Sequence, residues 1–168
     1  MRRATHHRQM IGTMIRGAAA GGVATWVMDA LTTGLMADQS KVEAAQEKAA
    51  QPHGKSSVDN FIDLVSEQLA WTPDADQRAR LQQGIHYGLG VMPGAFYALL
   101  RHRIPFLGAG NGLVYGFLLW AINDEYLATR LGIAGPVDAY PTETHLRGLA
   151  GHIALGITTD TALDLLRA

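Results

Sequence analysis

The feature that most constrains this chain is a set of four stretches almost free of charge, 17–37, 84–100, 104–122 and 148–166, each flanked by charged or polar residues. A bilayer core is crossed by roughly 20 mainly apolar helical residues, and these stretches approach that length. They predict an all-α fold, an integral membrane four-helix bundle. The second stretch is the shortest and carries Pro93, which a membrane helix tolerates where neighbours re-satisfy the freed carbonyl. Only 17% of residues are charged, and most acids fall in two blocks, 38–76 and 124–143. The near-zero mean hydropathy therefore averages two unlike populations of sequence.

The segment 38–83 between the first two stretches is polar but carries helical pattern. Lys41 to Ala50 is rich in helix formers, Pro52-His-Gly breaks the run, and Ser56 or Ser57 can cap a second helix. That helix sets Val58, Phe61, Ile62, Val65, Leu69 and Trp71 on a broad apolar face, suited to lie on a membrane surface or to roof the bundle. Trp71-Thr-Pro-Asp then opens a short run into the second span.

Arginine sets the orientation. With the N-terminus inside, Arg2, Arg3, Arg8, Arg16, Arg101, Arg103 and Arg167 all fall in very short cytoplasmic segments. The remaining basic residues are diluted over two long outer segments, so 38–83 is read as an extracytoplasmic insertion and both termini as cytoplasmic. A bacterial inner membrane is the expected location. The basic start could head a cleaved signal peptide, but the apolar run continues past Asp29 to Ala37, well beyond a signal's h-region, and reads as an uncleaved span. A net charge of −1 with no basic stripe gives no reason for a nucleic-acid partner. The chain has no cysteine, so any metal would be held by His, Asp or Glu.

Membrane helices associate through close backbone contact, and small residues four apart are the signature. Gly17, Gly21, Thr25, Asp29 and Thr33 form one such series; Gly84 with Gly88, and Gly90 with Gly94, form others. Gly108, Gly112 and Gly116 lead on to Trp120 and Asp124, while Gly148, His152 and Gly156 share a stripe in the last span. Gly17, Gly21, Gly88, Gly108, Gly112, Gly116, Gly148 and Gly156 are accordingly expected at helix–helix contacts, and Asn111 in an interhelical hydrogen bond.

Ionisable groups inside a bilayer are costly against lipid and usually face the bundle interior. Direction of travel places Asp29, His86, Asp124, Glu125, His145 and His152 near one level in the outer half of the membrane, one set of groups from each span. Asp29 and His152, both within apolar runs, are expected to form one polar unit. Asp160 and Asp164 lie toward the inner end, where Asp164 with Arg167 at i+3 suits a solvated ion pair. The bland alternative makes these groups interfacial residues and interhelical hydrogen bonds with no chemistry.

The order of motifs resembles the YagU-type family of bacterial inner-membrane proteins. The resemblance is carried by Gly17-Ala-Ala-Ala-Gly, by His86 followed by small residues and Tyr97, and by Gly108-Ala-Gly-Asn-Gly. It continues in Leu131-Gly-Ile-Ala-Gly-Pro followed by Pro141, and in Gly151-His152 followed by Asp160. It covers spans two to four and weakly span one; it implies membrane location and topology, favours His86 and His152 as shared features, and supplies no reaction. The segment 38–83 has no counterpart in it.

Three functions remain open at this level. One is a membrane module with a water-accessible acidic and histidine site handling protons, metal ions or a small solute. Another is an accessory or stress-related membrane scaffold whose polar groups only specify packing. The third is a cofactor protein in which His86 and His152 ligate a b-type haem, or hold a divalent metal with Asp29 and Glu125. No Gly-x-Ser-x-Gly, P-loop or His-Glu-x-x-His occurs, so an enzyme is the weaker expectation. Four spans are few for alternating access, so a homo-oligomer or a membrane-protein partner is expected alongside the lipid.

Overall fold

A computed structural model describes residues 2–167, with side chains from His7 onward; Arg2 and Arg3 of the charge asymmetry lie outside the described side chains. The described chain is all-helical, with no strand. In order come α1 Arg2–Ala37, α2 Lys41–Ala50, α3 Ser57–Gln68, α4 Ala75–Leu100, α5 Leu113–Leu119, α6 Ala128–Arg130 and α7 Thr142–Leu165. A π-wound stretch, Trp120–Leu127, joins α5 to α6 in one continuous rod.

Local chemistry fixes the insertion. Ser40 caps α2 and Glu43 answers it, so the two side chains satisfy orphan amides reciprocally. Pro52 then opens a 3₁₀ turn in which His53 and Gly54 take positive φ, 55° and 63°, and the chain reverses. Ser56 caps α3. Asp74 and Gln77 form a second capping box that starts α4 well before the apolar run, so the Trp71-Thr-Pro-Asp segment feeds a single long helix.

The long helices form an antiparallel set in which α1 packs along both α4 and α7, and α5 packs along α7. Their interfaces are made of backbone. A Cβ on Gly17 would sit 2.6 Å from that of Ala98, and one on Gly21 or Gly90 would strike the facing helix, Gly90 meeting the Thr25 hydroxyl. At the other seam, Gly112 and Gly116 oppose Gly156 and the His152 carbonyl with the same closeness. Gly151 is held against Met28 and Thr32. Thr25 and Thr159 can be buried between helices because each hydroxyl donates to the carbonyl four residues back, Gly21 at 2.9 Å and Leu155 at 2.8 Å. The stripe on α1 ends at Asp29, since Thr33 is exposed.

Several expectations about the third stretch and the glycine contacts are corrected. The span expected at 104–122 is not one helix: Pro105–Gly108 is a 3₁₀ turn, and Gly110, Asn111 and Gly112 all take positive φ before α5 starts at Leu113. Asn111 is thus a turn residue, because Gly-Asn-Gly favours a left-handed bend over helix propagation. Gly88 packs against nothing within 4 Å, and Gly108 makes only an ordinary contact, 3.6 Å from the Tyr97 hydroxyl. Gly90 and Gly94 carry the α4 seam in its place. Among the described residues no helix is long and apolar enough to cross a membrane.

Two glycines on one helix therefore respond oppositely to the same substitution. Gly90→Ala, which drives a methyl into Thr25 and α1, should destabilise by about 1–3 kcal/mol. Gly88→Ala, facing open space in mid-helix, should stabilise by roughly 0.5–1 kcal/mol. Thermal unfolding of the two purified variants reads both signs.

Candidate functional site

At the end of the bundle where α1 leaves and α7 enters, three carboxylate–histidine pairs form. His86 Nε2 lies 2.8 Å from Asp29 Oδ1, joining α4 to α1. His145 Nδ1 lies 2.7 Å from Glu125 Oε1, and His152 Nδ1 lies 3.5 Å from Asp124 Oδ2, joining the π segment to α7. Asp29 and His152, expected as one unit, take different partners.

Donor counting fixes several protons. His145 Nε2 faces the Val137 carbonyl at 3.0 Å, and a carbonyl only accepts, so Nε2 carries a proton. The other ring nitrogen meets Glu125, so one proton is shared between that nitrogen and the carboxylate. His152 Nδ1 donates to the Gly148 carbonyl at 3.0 Å, and Asp124 receives only the longer contact from the same nitrogen.

The π winding of Trp120–Leu127 sets this geometry. Its last bond runs from the Ala128 amide to the Asn123 carbonyl, five residues back. The neighbours Asp124 and Glu125 both reach histidines of α7, at His152 and His145. Such stretches are uncommon and frequently mark functional sites.

Above these residues, α2, α3 and the 131–140 loop close over the bundle end and leave a cavity of about 450 Å³. Its polar groups include Asp124, Glu125, His145 and Glu47; its walls include Phe61, Ile85, Leu89 and Trp120. Asp29, His86 and His152 do not line it. Asn60, nearly fully buried, ties the roof together: its two amide hydrogens, one of them shared, reach the carbonyls of Pro52, Lys55 and Ile133. Outside it, Arg78 of α4 bridges Asp59 and Asp63 of α3; the Ser56 hydroxyl, with Gln82 and Arg78, holds the Asp59 carboxyl below its ordinary range, and Lys55 with Arg78 does the same for Asp63.

Glu47 is a part of this end that sequence reasoning missed. Arg147 donates to both its oxygens, at 2.9 and 2.8 Å, with Gln39 and Thr144 adding bonds at 2.7 and 2.9 Å. The signal available was one arginine just before the last span, with nothing to name its partner a hundred residues away.

A second polar cluster closes the opposite end. The Tyr97 hydroxyl and Arg101 Nη1 donate to Asp160 Oδ1 at 2.6 and 2.8 Å, and Arg101 Nη2 reaches Asp164 at 2.8 Å. The Asp164–Arg167 ion pair is therefore corrected to Asp164–Arg101. Arg101, expected as a loop charge, is 7% exposed. Tyr97 stacks on Tyr115 at 4.1 Å, which brings the ends of α4 and α5 together.

Among the described residues no three His, Asp or Glu side chains converge as metal ligands. Comparison with family models, curated proteins and solved structures finds no match to this chain.

Burial alone would raise the Glu47 carboxyl, but the bonds from Arg147, Gln39 and Thr144 outweigh it and hold it below the ordinary 4.5. A depressed carboxyl stabilises fully above its unfolded value and loses that contribution as pH falls through its folded value. The α2–α7 clasp should therefore be intact above about pH 4.5 and weaken progressively in more acidic solution. Glu47→Gln should lower stability by about 2 kcal/mol at neutral pH and flatten this acid limb, as read by thermal unfolding across pH.

Proposed function

We propose that this chain is a multi-pass inner-membrane protein with both termini cytoplasmic, whose outward end holds a small solute in the cavity above Asp124, Glu125 and His145. One observation carries the reading: the bundle is packed inside out for a protein in water. Its buried apolar residues within the long helices are mainly Ala20, Ala24, Ala95, Ala98, Leu155 and Leu163 with two tyrosines. The large side chains point outward, with Ile15 63%, Trp26 64%, Met92 62% and Phe96 54% exposed. In water such an arrangement forfeits the main driving force of folding; in lipid it forfeits nothing, because the tails are as apolar as these side chains.

The same arrangement accounts for helices of modest average apolarity. One stripe on each is Gly, Ala, Thr, His or Asp, and those stripes face one another. The outward stripes carry the apolar surface. The YagU-type resemblance of the glycine and histidine motifs agrees with this reading. A scaffold without chemistry is the second reading, favoured by the two close acid–histidine pairs, in which Asp29 and Glu125 already have a partner.

The absence of native cysteine makes the topology directly testable. Single cysteines at Glu67, on α3, and at His102, in the α4–α5 turn, both replace exposed residues. Glu67→Cys should react with an impermeant maleimide on intact spheroplasts and His102→Cys only after lysis. Reaction of both from one side, or recovery of the protein without detergent, would overturn the proposal.

A further inference from the structure

We infer that the cavity takes a lipophilic organic cation, an amine or quaternary onium with an apolar body; this rests on the reading of the cavity as a solute site. The lining holds Glu47, Asp124 and Glu125 and neither lysine nor arginine. Two of those carboxylates are already engaged, Glu47 by Arg147 and Glu125 by His145. Asp124 is different. Its basic neighbour, His152 Nδ1, is 3.5 Å away and donates at 3.0 Å to the Gly148 carbonyl instead, while 45% of the Asp124 side chain remains exposed. The cavity thus presents one weakly compensated carboxylate.

The walls decide which cation. Phe61, Ile85 and Leu89 face the space from α3 and α4, and Trp120 closes it from the π segment. A small inorganic ion would shed its water against these groups without enough oxygen ligands to replace it, and no set of three ligands converges among the described residues. An anion meets Asp124 directly, and a neutral solute leaves it uncompensated. An onium ion is weakly hydrated, gains from the carboxylate and from an aromatic wall, and buries its apolar body. A cavity of about 450 Å³ suits a drug-sized molecule of this kind.

Equilibrium dialysis of the full chain in neutral detergent, with two size-matched ions and a smaller neutral probe, tests this. Tetraphenylphosphonium carries the cation, tetraphenylborate is its near-isosteric anion, and N-phenyl-1-naphthylamine is neutral. The expected result is saturable phosphonium binding that excludes the borate. Asp124→Asn should weaken it about tenfold or more, the loss of one charge partner, while Asp124→Glu retains it. Leu89→Trp, which fills the cavity, should abolish it with the thermal midpoint kept. Should Asp124→Asn fail to fold, the phosphonium–borate contrast on the unaltered chain and the Leu89→Trp variant decide alone. Equal binding of phosphonium and borate, or binding of the naphthylamine with neither ion, overturns the cation class and leaves the solute site standing. Binding of none of the three overturns both.

Discussion

Everything in this fold depends on helix backbones touching. At the α1–α4 and α5–α7 seams the contact atoms are mainly backbone carbonyls and Cα atoms, with the Thr25 hydroxyl against Gly90, and a single methyl at Gly21, Gly90, Gly116 or Gly156 has no room. Backbones this close leave no space between them for Ile, Val, Met or Phe, so those side chains are displaced to the outside. Dispersion across the long backbone seams, together with the bonds from Tyr97 and Arg101 to Asp160, holds the helices together. That is the arrangement a lipid solvent permits and an aqueous one penalises.

The seams also place the polar groups. Because α1 and α4 are locked where Gly21 and Thr25 meet Gly90, the following turn of each helix brings Asp29 opposite His86. Because α5 and α7 are locked at Gly116 and His152, the π segment that follows delivers Asp124 and Glu125 to α7. The opposite end is closed by Arg101 shared between Asp160 and Asp164. With one end tied by a buried ion pair and the other roofed by α2 and α3 under the Glu47–Arg147 clasp, the cavity lies between rigid parts. A pre-formed pocket of that sort loses little entropy when it binds.

The parts of this structure legible in the sequence are those written in local chemistry. The extent of α2 and the start of α3 follow from the helix-forming run of Lys41 to Ala50, from Pro52 and from Ser56, whose roles need no knowledge of the fold. The shared level of Asp29, His86, Asp124, Glu125, His145 and His152 follows from counting residues along antiparallel helices. Their pairing does not, because rotation about each helix axis decides it and a π turn alters that rotation after Trp120. The third stretch misled for a related reason: its apolar content is continuous from Ile104, yet Gly110-Asn-Gly bends the backbone, and composition does not register φ. Glu47–Arg147 was illegible altogether, since neither residue has a periodic or motif context that names the other.

The most direct measurement of the inside-out claim is a paired footprint of the protein in lipid vesicles, using a membrane-soluble diazirine and water-borne hydroxyl radicals. Trp26 and Met92 are both exposed on the helix bundle, and Trp71, 41% exposed beside α3, is the internal control. The account predicts that the diazirine labels Trp26, Met92 and Phe96, while hydroxyl radicals oxidise Trp71 and spare Trp26 and Met92. Oxidation of Trp26 and Met92 as fast as Trp71, with no diazirine label on the bundle, would contradict it.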